Sequence, residues 1–551
     1  MSKTGKQWSS FFLLLGIVFL VSCGGKDDPP ASVTFQLNEI EIDGIVNQTS
    51  YTNVKPNLQV KLVFSDNIDQ STLQGNITLE LTPSGQSLPL TFKTERNSVT
   101  IQTGTPLNQF ASYKLTINTG LKSSSGNIIL TGKVYSIATG VDPADKFPRI
   151  SDEELLTLVQ KQTFKYFWDF AHPVSGMARE RTTSGNTVTT GGTGFGVMSM
   201  IVAVHRGFIT REEALNRIQT IVTFLSTKAT PYHGAFAHWI NGETGATIPF
   251  SSTDNGADLV ETSLLFQGLL TARQYFDKDA TAETKLRQDI NQLWNNINWT
   301  WFQKENEKIL YWHWSPQHGW QANLKIQGWN ESLITYVLAA ASPTHSISKE
   351  VYDQGWARNG EMRNGASYHG IKLPLGPNYG GPMFFAHYSF LGLNPNGLKD
   401  QYADYLEQNR NHSKINYNYC VENPKGYSGY GEHCWGLTAS DGDQGYSAHS
   451  PTNDRGVIAP TAALASIPYT PEESMRALHF FYYKLGDRLW SDYGFVDAFN
   501  LSKNWFDNQH IAIDQGPIIV MIENHRTGLI WDLFMDIPEI QNGLTKLGFT
   551  Y

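Results

Sequence analysis

Gly140-Val141-Asp142-Pro143-Ala144-Asp145-Lys146-Phe147-Pro148-Arg149-Ile150-Ser151-Asp152-Glu153-Glu154-Leu155-Leu156 divides this 551-residue chain into two regimes of hydrophobic spacing. Before it, apolar residues alternate with polar ones; after it they recur every three to four residues. Ser151 and Glu154 form a capping-box pattern ahead of Leu155, Leu156, Val159, Phe164 and Phe167, and Thr210 with Glu213 repeats it before Leu215, Ile218, Ile221 and Val222. Further helical spacing is expected near 254–276, 281–296, 329–341, 399–409, 454–466, 471–485 and 510–523, with long Gly- and Trp-rich loops between. About a dozen helices with no linker between them predict one all-α domain over 150–551, paired helices closing into an (α/α)6 toroid.

Residues 33–140 read differently. Runs such as Leu58-Gln59-Val60-Lys61-Leu62-Val63-Phe64 and Tyr113-Lys114-Leu115-Thr116-Ile117 are strands by their period of two. Several such strands in about 100 residues predict an Ig-like β-sandwich, and Ser65-Asp66-Asn67-Ile68-Asp69 resembles bacterial Ig-like modules of secreted enzymes. Nothing in this region has a catalytic look, so a spacer role is expected. The fold class is therefore multidomain: a small all-β Ig-like sandwich followed by an all-α toroid.

At the N-terminus, Lys3 and Lys6 precede the apolar run Phe11 to Val21, too short to span a bilayer, which ends in Leu20-Val21-Ser22-Cys23-Gly24. This resembles a bacterial lipobox, with residues 1–22 as signal peptide and Cys23 as the acylated first residue of the mature chain. Lys26-Asp27-Asp28 resembles the export tag of surface lipoproteins. A lipid-anchored protein of a bacterial outer membrane, periplasmic or surface-exposed, is expected. The other two cysteines, Cys420 and Cys434, could form a disulfide or remain two buried thiols.

A formal charge of −9 argues against nucleic-acid partners, which are bound by clustered Lys and Arg. A neutral substrate and a monomer are expected. No phosphate loop, His-Glu-x-x-His or Gly-x-Ser-x-Gly occurs; Gly192-Thr193-Gly194-Phe195-Gly196 lacks the dinucleotide spacing, and His233 and His238 have no evident third ligand. No cofactor and no metal are expected.

Asp254, Asp258 and Glu261 lie at i, i+4 and i+7 beside Leu259, Val260 and Leu264. On a helix they would share one face, a repulsive arrangement that acid/base chemistry on a sugar could use; a capped helix start with Glu261 solvated is the alternative. Glu331 opens an apolar helical run, where the helix dipole and a neighbouring Trp compete in setting its pKa, and Asp514 sits alone among apolar residues. Fourteen of the fifteen Trp lie beyond residue 150, with Trp299, Trp301, Trp312, Trp314, Trp320 and Trp329 in one loop-rich segment. Indole faces stack on the apolar C–H faces of pyranose rings, which points to a carbohydrate ligand.

Four motifs carry a more specific resemblance: Thr253-Asp254-Asn255-Gly256-Ala257-Asp258-Leu259-Val260-Glu261-Thr262, Gly328-Trp329-Asn330-Glu331, Tyr430-Gly431-Glu432-His433-Cys434-Trp435-Gly436-Leu437-Thr438-Ala439-Ser440-Asp441-Gly442, and Ile513-Asp514-Gln515-Gly516-Pro517. Together they resemble the glucoamylase-like bacterial endo-β-1,2-glucanases. The resemblance implies an (α/α)6 barrel and inverting cleavage of β-1,2-glucan, with Asp254, Asp258, Glu261, Glu331 and Asp514 as the acidic residues. Trp312, Trp314, Trp320, Trp329, Trp435 and Asp441 are the expected substrate-binding set. Glu331 is the expected acid, and the base is left among Asp514 and the 254/258/261 trio. Related glucoamylase-like proteins include exo-acting, disaccharide-releasing enzymes. A glycan-binding lipoprotein without catalysis and a polysaccharide lyase are the rival readings; a lyase would need cations against a uronate, which the acidic balance disfavours.

Overall fold

Alternation along Leu37–Ile42, Gln59–Phe64 and Ser98–Thr103 puts Ile40, Ile42, Val60, Leu62, Phe64, Val99 and Ile101 on one buried face. The computed structural model describes residues 34–551, so the signal peptide and Cys23 lie outside the described residues. The three strands pair antiparallel, with Leu62 opposite Ile40 and Val99, at the centre of a five-stranded sheet. A second five-stranded sheet makes up the rest of the Ig-like region.

The helical region begins where its caps are written. Ser151 accepts from the Glu154 N–H while Glu154 accepts from the Ser151 N–H at 2.9 Å, and Thr210 and Glu213 do the same for Arg211–Thr227. Two classes of helix follow. Asp152–Trp168, Arg211–Thr227 and Thr281–Asn295 bury one stripe each, whereas Thr190–His205, Leu259–Tyr275, Leu333–Ala341 and most of Ala512–Arg526 are buried all round. Helices apolar on every side belong inside, and amphipathic ones cover them. The 190–205 helix packs against 259–275 and 512–526, and 333–341 packs against 259–275 and Pro538–Leu547, consistent with inner and outer rings.

Several boundaries differ from the periodicity. The expected 254–276 helix starts at Leu259, because Ala257–Asp258 is a strand paired with His313–Trp314. The expected 329–341 helix starts at Leu333, leaving Glu331 in the turn before it. The 399–409 segment becomes Tyr405–Glu422, capped by Asp404 and ended by Asn423 in the left-handed region, and 454–466 shortens to Pro460–Leu464. Cys420 and Cys434 are buried free thiols, so no disulfide forms between them.

The glycines at 191–196 serve helix packing. A Cβ on Gly194 would stand 2.1 Å from the Leu264 carbonyl oxygen, and one on Gly268 would stand 2.1 Å from the Gly194 carbonyl oxygen. The 190–205 and 259–275 helices therefore touch backbone to backbone. Gly194→Ala is expected to destabilise the protein beyond the ~1–3 kcal/mol usual for overpacking, because a main chain must move, and despite a helix-propensity gain of ~1 kcal/mol. Urea unfolding measures it; a variant as stable as the parent would mean that the two helices do not meet there.

Candidate active site

A cavity of about 370 Å³ is lined by Glu180, Arg181, His238, Trp239, Glu261, Trp312, Glu331, Tyr388 and Tyr446, among others. Gly191, at the start of the 190–205 helix, has no side chain where a Cβ would lie 2.6 Å from Glu261 Oε2, and its N–H donates to that oxygen at 2.7 Å. Glu261 is thus held against a helix N-terminus, which favours an anion there.

Asp254, Asp258 and Glu261 do converge, but not as one helix face. Asp258 is extended and caps the 259–275 helix: Oδ1 accepts from Val260 N at 3.0 Å and Glu261 N at 2.9 Å. Its other oxygen meets His238 Nδ1 at 3.1 Å, and His238 Nε2 lies 3.8 Å from Glu261 Oε1. His313, carried opposite Asp258 by the strand pairing, places Nδ1 3.4 Å from Asp254 Oδ1 and 3.7 Å from Asp258 Oδ2. Imidazoles separate the three carboxylates. The alternative reading, a capped helix start with Glu261 solvated, holds only for the cap, which is Asp258; Glu261 is 5% exposed.

These contacts spread the proton affinities. Burial opposes a charge on His238, but the carboxylates of Glu261, Asp258 and Asp254 outweigh it and raise the imidazole to about 9. Burial likewise opposes the Asp258 anion, yet its bond to His238 and the charge of His313 leave it below the usual carboxylate range. Burial dominates at Glu261, whose pKa is raised. Glu331 reaches about 7 through burial, reinforced by the negative Glu261 and Asp258; the dipole of the following helix does not prevail. Its backbone is fixed by Ser389, whose hydroxyl donates to the Glu331 carbonyl and accepts from Ile334 N. One carboxyl kept protonated near neutrality, Glu331, close to another held as an anion, Asp258, is the division of labour of general acid/base catalysis.

Asp514 lies behind the wall formed by Ile511 and Ile513, 1% exposed, raised to about 7 by burial, with its carboxyl on Asp497. Tyr388 connects the two sides: its phenol is pushed up by burial and then by the acidic groups around it, among them Asp514, Glu331 and Glu261. Arg181 forms ion pairs with Glu180 at 3.0 Å and Asp441 at 2.8 Å, so Asp441 acts on the wall through Arg181 and does not line it.

Among the expected stacking residues, Trp312 lines the cavity. Trp314 and Trp320 are half-buried and pack around Trp301, whose ring stacks on His233 at 3.8 Å, apart from the cavity lining. Trp329 and Trp435 are corrected. Trp329 is wedged between Phe390 and Tyr405, and Trp435 is wholly buried with its N–H donated to the Glu473 carbonyl, so neither offers a face to a sugar. Missed were Glu180, Arg181, His238 as a wall residue, Trp239, Tyr388 and Tyr446; the Trp239 ring beside His238 was the one cue available in the chain.

Comparisons with known proteins agree with this picture. Residues 323–538 match the family described as "Putative glucoamylase", and residues 38–139 match the bacterial Ig-like domain family. The chain is similar to an endo-β-1,2-glucanase from Chitinophaga pinensis, solved with sophorotriose and glucose, at 51% identity and TM-score 0.72, covering 73% of this chain and 99% of that one. It is similar to a β-1,2-glucanase structure from Parabacteroides distasonis at 40% identity and TM-score 0.71, covering 93% of this chain and 73% of that one. A curated relative from P. distasonis, an exo-β-1,2-glucooligosaccharide sophorohydrolase acting at the non-reducing end, is 48% identical over 420 residues, which is 72% of this chain. The chain spans 58% of that relative's length.

Proposed function

The chain belongs to the glucoamylase-like family, and on that premise we propose that it is a glycoside hydrolase that cleaves β-1,2-glucan internally, with inversion, to short sophoro-oligosaccharides. The observation that carries this reading is Glu331: a carboxyl protonated near neutral pH on the wall of an aromatic-lined cavity that also holds Glu261. Inversion needs an acid at the departing oxygen and a carboxylate that activates water from the other face, roughly 6.5–9.5 Å away. Glu331 is the acid. Of the other selected carboxylates only Glu261 lines the cavity, and it takes the base role, with Asp258 and His238 positioning it and Asp514 one layer behind. Trp312 and Trp239 supply ring faces for glucosyl units.

Exo action is the second reading, supported by the curated sophorohydrolase. Internal cleavage is preferred because the endo-acting relative is matched over 99% of its length and the exo-acting one over 58%. Purified protein incubated with β-1,2-glucan is expected to release a ladder of sophoro-oligosaccharides from the first minutes. Sophorose alone from the outset would select exo action, and no new reducing ends would leave a glycan-binding protein. Cys23 as a lipid anchor at the outer membrane belongs to the same proposal.

A further inference from the structure

A hairpin of two short strands, Phe499–Asn500 and Trp505–Phe506, has an aspartate at each foot. Asp497 N donates to Gln509 O and Asp507 N donates to Ala498 O, both at 2.9 Å, so the backbone fixes both feet. Asp441, just beyond the strand Ala439–Ser440, joins them by donating its own N–H to Asp497 Oδ2 at 2.7 Å. Each of the three offers a carboxylate oxygen, and these oxygens lie within 4.8 Å of one another.

From this geometry we propose that Asp441, Asp497 and Asp507 bind a divalent cation, Ca²⁺ by its coordination chemistry. Clustered acids alone would not support this; the unmet oxygens do. Asp497 Oδ1 and Asp507 Oδ2 are buried without a hydrogen-bond partner among the described residues. Independently, Asp514 enters from another element, the 512–526 helix; it is 1% exposed, its carboxyl reaches Asp497, and its Oδ2 also has no partner. Buried carboxylate oxygens left unpaired are costly. Arg181 contacts only Asp441 among these four and is shared with Glu180.

The donors select the metal. They are all oxygen, with no imidazole or thiolate to favour Zn²⁺. Oxygens bound to one Ca²⁺ at 2.3–2.6 Å can be at most about 5 Å apart, which the 4.8 Å limit satisfies, and Ca²⁺ accepts irregular shells that Mg²⁺ does not. Such an ion would join the loop after residue 440 to both feet of the hairpin, fixing the wall behind Arg181. The inference stands apart from the glucan reading, since it concerns an ion and not the substrate.

The test uses the full chain stripped with chelator and titrated with CaCl₂, followed by thermal unfolding and by calorimetry. A saturable rise in Tm of at least ~2 °C and a binding isotherm complete below about 5 mM are expected, because an ion that binds only the folded state stabilises it by mass action. Mg²⁺ should give a smaller rise. Asp507→Asn should lose both signals, and Asp441→Asn provides the same readout where Asp507→Asn fails to fold. Absence of heat and of any Tm change in the parent protein overturns the site, and so does parent-like Ca²⁺ binding in the variants. Neither result bears on whether β-1,2-glucan is cleaved.

Discussion

Replacing Glu331 with Gln is expected to lower kcat on β-1,2-glucan by roughly 10²–10⁴-fold, the usual contribution of a positioned general acid. The amide matches the carboxyl in shape but cannot give up a proton to a departing sugar oxygen. Structure should survive, because the backbone of residue 331 is held through Ser389 and not through the carboxyl. KM should change little if the group acts only in the transition state. The parent pH profile follows from the same carboxyl: with Glu331 raised to about 7 by burial and by Glu261 and Asp258, turnover should decline as pH rises through that value. Near-parent turnover in Glu331→Gln at unchanged stability, or activity flat from pH 6 to about 9, would remove Glu331 from the acid role.

How much of this could be read beforehand depends on how local each feature is. The Ser151–Glu154 and Thr210–Glu213 boxes were legible because capping is settled within one turn. The trio of acids was legible as a composition, but its geometry was not. A single strand pair, Ala257–Asp258 with His313–Trp314, stops the helix at Leu259 and brings in His313 from 55 residues downstream. No periodicity reports such a partner. The glycines at 191–196 failed as a nucleotide motif, and their use is visible only where Leu264 lies against Gly194. Trp is equally suited to a core and to a cleft, so Trp312 and Trp435 looked alike in sequence and separate only once Trp435 is seen enclosed. Tyr388, which lies in the field of both Asp514 and Glu331, belongs to no motif that its neighbours announce.

The second large effect is on stability, at Asp258. Asp258→Asn is expected to cost roughly 3–5 kcal/mol near pH 6.5, as for other buried ion pairs broken from one side, because Asp258 is wholly buried and His238, 23% exposed, loses its bonded anion. The sign of the pH dependence follows from the proton balance. His238 is near 6.5 when unfolded and about 9 when folded, so the native state binds the extra proton. Its contribution is full below 6.5 and is lost as pH rises through 9; about 1.4 kcal/mol per unit puts it on the order of 3 kcal/mol as an upper value. Asp258 acts in the opposite direction and elsewhere: its folded pKa is depressed, so its contribution is present above 3.8 and lost in acid. Glu331 and Asp514, both raised to about 7, shed stability at lower pH, from the unfolded carboxylate range up to 7. The fall across the window between 7 and 9 therefore belongs to His238 together with His313, whose imidazole is raised against its burial by Asp254 and Asp258. Urea unfolding of the parent should show stability falling across that window, and Asp258→Asn, which keeps the Glu261 and Asp254 carboxylates beside His238 but loses the bonded one, should fall less steeply there. A parent protein equally stable at both ends, or a variant with the same slope, would mean that His238 is not held as a cation and that Asp258 serves only as a helix cap.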